Sequence, residues 1–454
     1  MIRQLTLKDV GPARDLKFSF SPRLNVLTGD NGLGKTFVLD VLWWVLTTTW
    51  AGEKAFPPFG GAVEPEDRDP ADRVEEDPWL AGIDAPSIEA TLEARDEEDA
   101  GLSVSWLWKH SSQEWVAPPD ATSYDELEAD FRPPTLVLYA RIDGSYAVFD
   151  SYYATGRVSS FAAAAIRLTP AEVWDGQETR DGSVSGGKRT VIGGLIADWV
   201  SWQQRARSPE FQALRKVLHA LSSPDEPLVP SEPARVHLRD RRDIPTLATS
   251  YGVVPVTLAS AGMRRALSLA YLLVWAWAEH EKAAKASRRK PTRDVVLIID
   301  EPELHQHPAW QRAILPAVLK AIGMVAPNAG VQVFTATHSP LVLASLEPHF
   351  DPALDTLFAF DLMPRAHRVK VEKVAWRARG DVSNWLTSDV FDLGYARSRE
   401  AEKALEKAFK VLDRPDLSDD EARKIHRELH AALGDTDPFW ARWLSYARTK
   451  GIEP

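Results

Sequence analysis

The chain has 454 residues, 44% of them hydrophobic and 26% charged, with a net charge of −11 and no cysteine. That length predicts two or three structural units. The missing cysteines exclude a disulfide scaffold, thiolate metal sites and a cysteine nucleophile, and suit a reducing cytoplasm, while the acidic balance argues against indiscriminate nucleic-acid binding but leaves room for a local basic groove.

Met1-Ile2-Arg3-Gln4 leads straight into a strand pattern, so no signal peptide is expected. Ile2–Leu7 and Leu16–Phe20 alternate about a Gly11-Pro12 turn and predict a hairpin. Arg14, just after the turn, is either a nucleotide contact or a solvated charge. Arg23–Leu27 reads as a short buried strand and Phe37–Leu46 as an apolar helix. Between them, Gly29-Asp30-Asn31-Gly32-Leu33-Gly34-Lys35-Thr36 fits G-x-x-x-x-G-K-[ST]. The glycines let backbone wrap an anion, and a helix N-terminus favours negative charge. Lys35 is placed to reach the β- and γ-phosphates of ATP, and the Thr36 hydroxyl to hold Mg²⁺.

Pro57–Gly61 and the acidic tract Glu64–Asp77 read as loop. Ser87–Ala94 and Leu102–Trp108 alternate and predict two antiparallel strands. Thr135–Ala140 is a buried strand followed by the turn Arg141–Ser145. Trp174–Gln177 reads as loop, Ser185-Gly186-Gly187-Lys188 as a hairpin tip, Gly193–Trp199 as a helix start and Pro209–Leu221 as a helix. Val236–Leu238 and Thr246–Thr249 suggest a further hairpin-like unit. A long helix follows Ser260 to about Ala286; its apolar run Ala266–Ala278 is too short to span a bilayer and reads as a buried helix. Arg288–Arg293 is a basic linker, either solvated or set against a phosphate backbone. Seventeen scattered tryptophans suggest core or interface anchors.

Val295–Ile299, continuous and largely β-branched, predicts a central parallel strand ending at Asp300-Glu301. Ligands bind at that end of open α/β sheets. Asp300 is a candidate Mg²⁺ ligand, and Glu301 a candidate base for the attacking water. Gln332–Thr337 predicts a neighbouring strand that ends at His338, a candidate catalytic group.

Together, Gly29–Thr36, Ser260-Ala261-Gly262-Met263-Arg264, Asp300-Glu301-Pro302-Glu303 and Thr337-His338-Ser339-Pro340 resemble the ABC-type ATPases of the SMC and RecF-like group. The resemblance makes the first segment Walker A, Asp300-Glu301 Walker B with its catalytic glutamate, and His338 the switch histidine. Glu303–Pro308 is similar to a D-loop form common in bacterial members, and Ser260–Arg264 is a loose match to the signature, with Ala261 where a glycine is usual. It implies that Ser260, Gly262 and Arg264 serve the nucleotide of a second copy, so that ATP joins two heads and hydrolysis releases them. It also implies a glutamine loop between Ala140 and Ser260, for which Gln177 is the candidate.

The resulting expectation is an α/β P-loop NTPase, an ABC-type head with a mixed sheet. The head takes residues 1–60 and 130–380, a strand-rich insertion 61–129, and a helical module 381–454. In that module Leu405, Phe409 and Leu412 share one face. Ser418 and Glu421 form a capping-box start to a helix carrying Ile425, Leu429 and Leu433. Long coiled-coil arms are not expected. The closer likeness is to compact ATPases of anti-phage defence of the Septu type, which work beside a separate nuclease. Expected partners are a second or further copies of the chain and that nuclease, with DNA or RNA open and no membrane. The alternative is a RecF-like DNA clamp gated by ATP.

Overall fold

The computed structural model describes residues 1–52, 86–93, 101–109, 114–116, 136–154, 164–180, 188–223, 226–363, 368–412 and 418–452. They form two compact units, Met1–Ala378 and Arg379–Pro454. The first unit begins with β1 (Ile2–Val10), β2 (Ala13–Ser19), β3 (Leu24–Gly29), α1 (Lys35–Thr47), β4 (Ser87–Glu93), β5 (Gly101–Lys109) and β6 (Glu114–Val116). It continues through β7 (Leu136–Ala140), β8 (Tyr146–Asp150), β9 (Ala165–Leu168), α2 (Pro170–Asp175), β10 (Gln177–Arg180), β11 (Lys188–Ile192), α3 (Leu195–Gln204) and α4 (Pro209–Leu221). Then come β12 (Val229–Ala234), β13 (Ile244–Thr249), β14 (Gly252–Pro255), α5 (Ala261–Ala286), β15 (Asp294–Asp300), α6 (Pro308–Gln311) and α7 (Ile314–Val325). β16 (Gly330–Ala336), α8 (Pro340–Leu346), β17 (Asp355–Met363) and β18 (Arg368–Val374) complete it.

A mixed eight-stranded sheet in the order β18-β17-β3-β16-β15-β7-β8-β9 carries the site. Its five central strands, β17, β3, β16, β15 and β7, are parallel, and the outer pairings are antiparallel. The parallel strands β3, β15 and β7 are buried along their whole length, which accounts for the apolar runs Leu136–Ala140 of β7 and 295–299 of β15; β3 also buries Asn25 and Thr28. A second, antiparallel sheet has the order β2-β1-β4-β5-β6. The predicted pairing of Ser87–Glu93 with Gly101–Lys109 is present, and β4 also pairs with β1. That long-range pairing joins the strand-rich segment to the first hairpin.

Helix α1 shares one core with both sheets, and ten of its thirteen residues are buried. Apolar residues around its whole circumference fit that position. Trp44 packs with Trp50, Trp106 and Trp115, so four of the tryptophans tie α1 to β5 and β6. Buried Gln332 on β16 fastens the sheets together. Its Oε1 accepts from Ile2 N at 2.9 Å, and its Nε2 donates to Ile2 O and Ser21 O at 2.8 and 3.0 Å.

Two local expectations are corrected. The hairpin partner of β13 is β12 at Val229–Ala234, not 236–238. Pro230 and Pro233 disguise β12; it is an edge strand, where the missing N–H groups are tolerated. Trp174-Asp175 is helical and Gln177 opens a strand, because Thr169 and Glu172 form a capping box with Pro170 in the first turn of α2. Strands β10 and β11 pair as a hairpin. Its tip, like the acidic tract Glu64–Asp77, lies outside the described residues.

The second unit holds α9 (Val382–Leu386), α10 (Arg399–Leu412), α11 (Asp419–Ala432) and α12 (Phe439–Thr449). Ser418 caps α11 as its spacing predicts, accepting from Glu421 N. Ala404, Leu405, Ala408, Leu429 and Trp443 form its core.

Candidate active site

The glycine loop joins β3 to α1 at the C-terminal edge of the parallel strands. Gly29 has φ +126°, and a Cβ there would lie 2.2 Å from Phe360 O on β17. Gly34 has φ +93°, and a Cβ would lie 2.4 Å from Pro12 Cγ in the first hairpin. Close packing, against backbone at Gly29 and against the Pro12 ring at Gly34, together with the positive φ favours glycine at both positions. Asp30, Asn31 and Gly32 are exposed along the loop, while Leu33 is buried in the core beneath it. Lys35 is buried; its Nζ donates to Gly29 O at 2.7 Å and Asp30 O at 2.8 Å. Burial holds the ammonium below the usual lysine range, against the opposing pull of Glu301 and Asp300.

The Thr36 hydroxyl donates to Asp300 Oδ2 at 2.7 Å, across 264 positions of sequence. Asp300 is fully buried, and its Oδ1 has no hydrogen-bond partner. Burial raises its pKa, with Thr36 opposing. Glu301 follows with φ +48°, its N donating to Ala336 O at 3.0 Å. A positive φ on a non-glycine residue is a strained arrangement found at functional positions. His338 Nδ1 stands 2.7 Å from Glu301 Oε2. The parallel pairing of β15 with β16 thus brings together the strand-end residues that the sequence pointed to.

Ser260 caps α5 by accepting from Met263 N at 3.3 Å, and its residue is exposed. Gly262 is buried against the turn after Glu303; a Cβ there would lie 2.8 Å from His305 O. Arg264 lies over the Trp174 ring at 4.6 Å. Its neighbour Arg265 instead donates from Nη2 to Asp300 O at 2.6 Å. A helix turns about 100° per residue, so adjacent arginines meet different surroundings.

Three contributors escaped the sequence reading. Arg265 is one. Glu303 is another: it is buried, its Oε1 accepts from Thr337 Oγ1 at 2.5 Å, and burial together with the Glu301 charge pushes it up to about 7. The sequence places Glu303 only within Asp300-Glu301-Pro302-Glu303 and at the start of the D-loop-like segment, without a role of its own. The third is Arg141, directly after β7 and beside Asp40 of α1 at 3.8 Å. Burial pushes Asp40 up to about 6. Arg141 follows the strand next to β15. Gln177 donates to Arg167 O and Glu172 Oε1, each at 3.0 Å, and lines a cavity of about 590 Å³ with Tyr153, Arg189 and Trp275. The side chain of Arg14 lies outside the described residues.

Among curated proteins, the chain is similar to "Retron Ec83 probable ATPase" of Escherichia coli, 24% identical over 143 residues. That match covers 31% of this chain and 23% of the relative's length. Among solved structures, it is similar to the "SMC head domain from Thermotoga maritima", with 13% identity and a TM-score of 0.37, covering 83% of this chain and 99% of that one. It is also similar to the recombination mediator RecF in its ATPrS form, with 11% identity and a TM-score of 0.37, covering 83% and 98%. A family profile matches residues 24–344, a span that includes the glycine loop, the signature-like segment, Asp300-Glu301 and His338. The chain belongs to the P-loop ATPase family described as "AAA domain, putative AbiEii toxin, Type IV TA system".

Proposed function

We propose that the chain binds and hydrolyses ATP with Mg²⁺, pairs with a second copy through the nucleotide, and controls a separate nuclease in bacterial defence. The observation that carries the hydrolytic reading is the Thr36–Asp300 hydrogen bond, which joins the end of the glycine loop to the carboxylate end of β15. The residues fit a Mg²⁺ ion: Asp300 Oδ1 is a buried oxygen in need of a partner, next to a hydroxyl. Thr36 and Asp300 would hold the ion, which when bound neutralises charge on the phosphates. Gly29–Thr36 wrap the phosphates with backbone N–H groups. Lys35 adds an ammonium charge where negative charge builds up on the transferring group. Glu301 takes the proton of the attacking water, a role suited by the upward pull of burial on its pKa. His338 orients that carboxylate from the next strand.

Names of similar proteins support the defence context: one is a retron ATPase, and the family description cites a toxin–antitoxin system. Pairing rests on the exposed Ser260 cap, offered at the surface at the start of α5. The test is ATP turnover by the purified chain and by Lys35→Ala, in which hydrolysis falls by about 10²–10³-fold. Unchanged turnover would exclude this loop as the catalytic centre. Glu301→Gln is expected to hold ATP and elute as a dimer in size exclusion; a monomer with ATP bound argues against pairing.

A further inference from the structure

Three ligating side chains converge from two strand ends beside the glycine loop. Glu301 and Glu303 follow β15, and His338 follows β16. One donor atom from each lies within 4.8 Å of the other two. Both glutamates are only 5% exposed; Glu303 Oε2 has no hydrogen-bond partner, and the neighbour of Glu301 Oε2 is His338 Nδ1 at 2.7 Å, itself a member of the set. The Thr337 hydroxyl satisfies the other oxygen of Glu303. Lys35 gives hydrogen bonds to loop carbonyls. Buried carboxylate oxygens set side by side call for a positive partner. Tetrahedral ligands about 2.0–2.2 Å from one ion stand about 3.3–3.6 Å apart, so this set closes on a cation with side-chain movements of about 1 Å. The half-exposed imidazole offers a way in from solvent.

We propose that Glu301, Glu303 and His338 form a cation site, distinct from the Thr36–Asp300 pair, that takes a divalent transition metal of the Zn²⁺ type and when filled withholds Glu301 from catalysis. The donor set selects the metal. Mg²⁺ favours an all-oxygen shell and keeps its waters, whereas an imidazole nitrogen with two carboxylate oxygens suits Zn²⁺. The inhibitory half rests on the hydrolytic reading above; the binding half does not.

The test is calorimetric titration of the full chain with ZnCl₂, after chelator treatment, in excess MgCl₂ and without nucleotide. One saturable equivalent per chain is expected, weakened about tenfold or more in Glu303→Gln and in His338→Ala. His430→Ala, which removes one ring of the His426–His430 pair on α11 of the second unit, leaves it in place. Co²⁺ bound to the parent chain should show visible bands unlike those of the aqueous ion, a readout that survives even if the variants misfold. Absence of saturable binding, binding that survives both site substitutions in folded protein, or an aqueous-like Co²⁺ spectrum would overturn the site. Inhibition of ATP turnover by Zn²⁺, reversed by EDTA, supports the second half. Binding without inhibition overturns that half alone, and failure of the chain to hydrolyse ATP leaves the calorimetric result standing.

Discussion

The strand-end cluster of the first unit and the helical second unit handle charge in opposite ways. In the first, Lys35, Asp300, Glu301 and Glu303 are all buried together; Asp300 and Glu303 each carry an oxygen without a hydrogen-bond partner, and Glu301 Oε2 meets only the His338 ring. In the second, Ser388 is the only buried polar side chain among the described residues, and ion pairs such as Lys407–Glu428 lie toward the surface. Buried charge alone does not mark function. Asp355 is buried but matched by the Arg23 guanidinium, and His280 sits between Asp150 and the Thr292 N–H. What separates the site is buried charge left incompletely satisfied, which costs stability and persists where chemistry uses it.

Three measurements would break or sharpen that contrast. The largest effect is expected in the second unit, whose stability rests on apolar packing. Trp443, fully buried, should cost about 3–5 kcal/mol as Trp443→Ala. Limited proteolysis should then cut residues 379–454 first, with ATP turnover retained; loss of turnover would show that the units depend on each other.

Next comes Glu303→Gln. Glu303 moves from 4.5 to about 7 on folding. The folded state therefore binds the extra proton between those values, so stability present below pH 4.5 is lost as pH rises through 7. The shift corresponds to about 3 kcal/mol. Glu303→Gln should flatten the pH dependence of Tm across that window relative to the parent. An identical slope in both proteins would mean that Glu303 is not buried as a carboxyl pair with Glu301. The smallest effect is Ser418→Ala, a lost helix cap in the second unit, at about 1 kcal/mol by chemical denaturation. A larger loss would mean that Ser418 does more than cap α11.

Local patterns carried much of this architecture. Helices α4 and α5, strand β15 and the Ser418 cap are legible because each is written in contiguous residues: a proline start, an apolar stripe, a β-branched run, a capping box. The meeting of Thr36 with Asp300 was legible too, because strand, loop and helix order fixes which edge of a parallel sheet collects ligands. The rest depends on long-range geometry. Nothing local says that β4 pairs with β1, or that Gln332 reaches Ile2. Nor could spacing tell that Arg265, not Arg264, faces Asp300, or that the turn after Glu301 buries Glu303 under Thr337. β12 was missed for a different reason, since its prolines argue against a strand everywhere but at an edge.

The seat of Gly262 against His305 has a mechanical consequence. Backbone meets backbone there with room for a hydrogen and nothing larger. Such a seam resists compression steeply and offers almost no hold in tension. The start of α5 can therefore press on the turn that follows Glu303 through Gly262, while the Arg265 hydrogen bond to Asp300 O at 2.6 Å is what carries tension, so a displacement at Ser260 reaches the carboxylates in either direction through two different contacts.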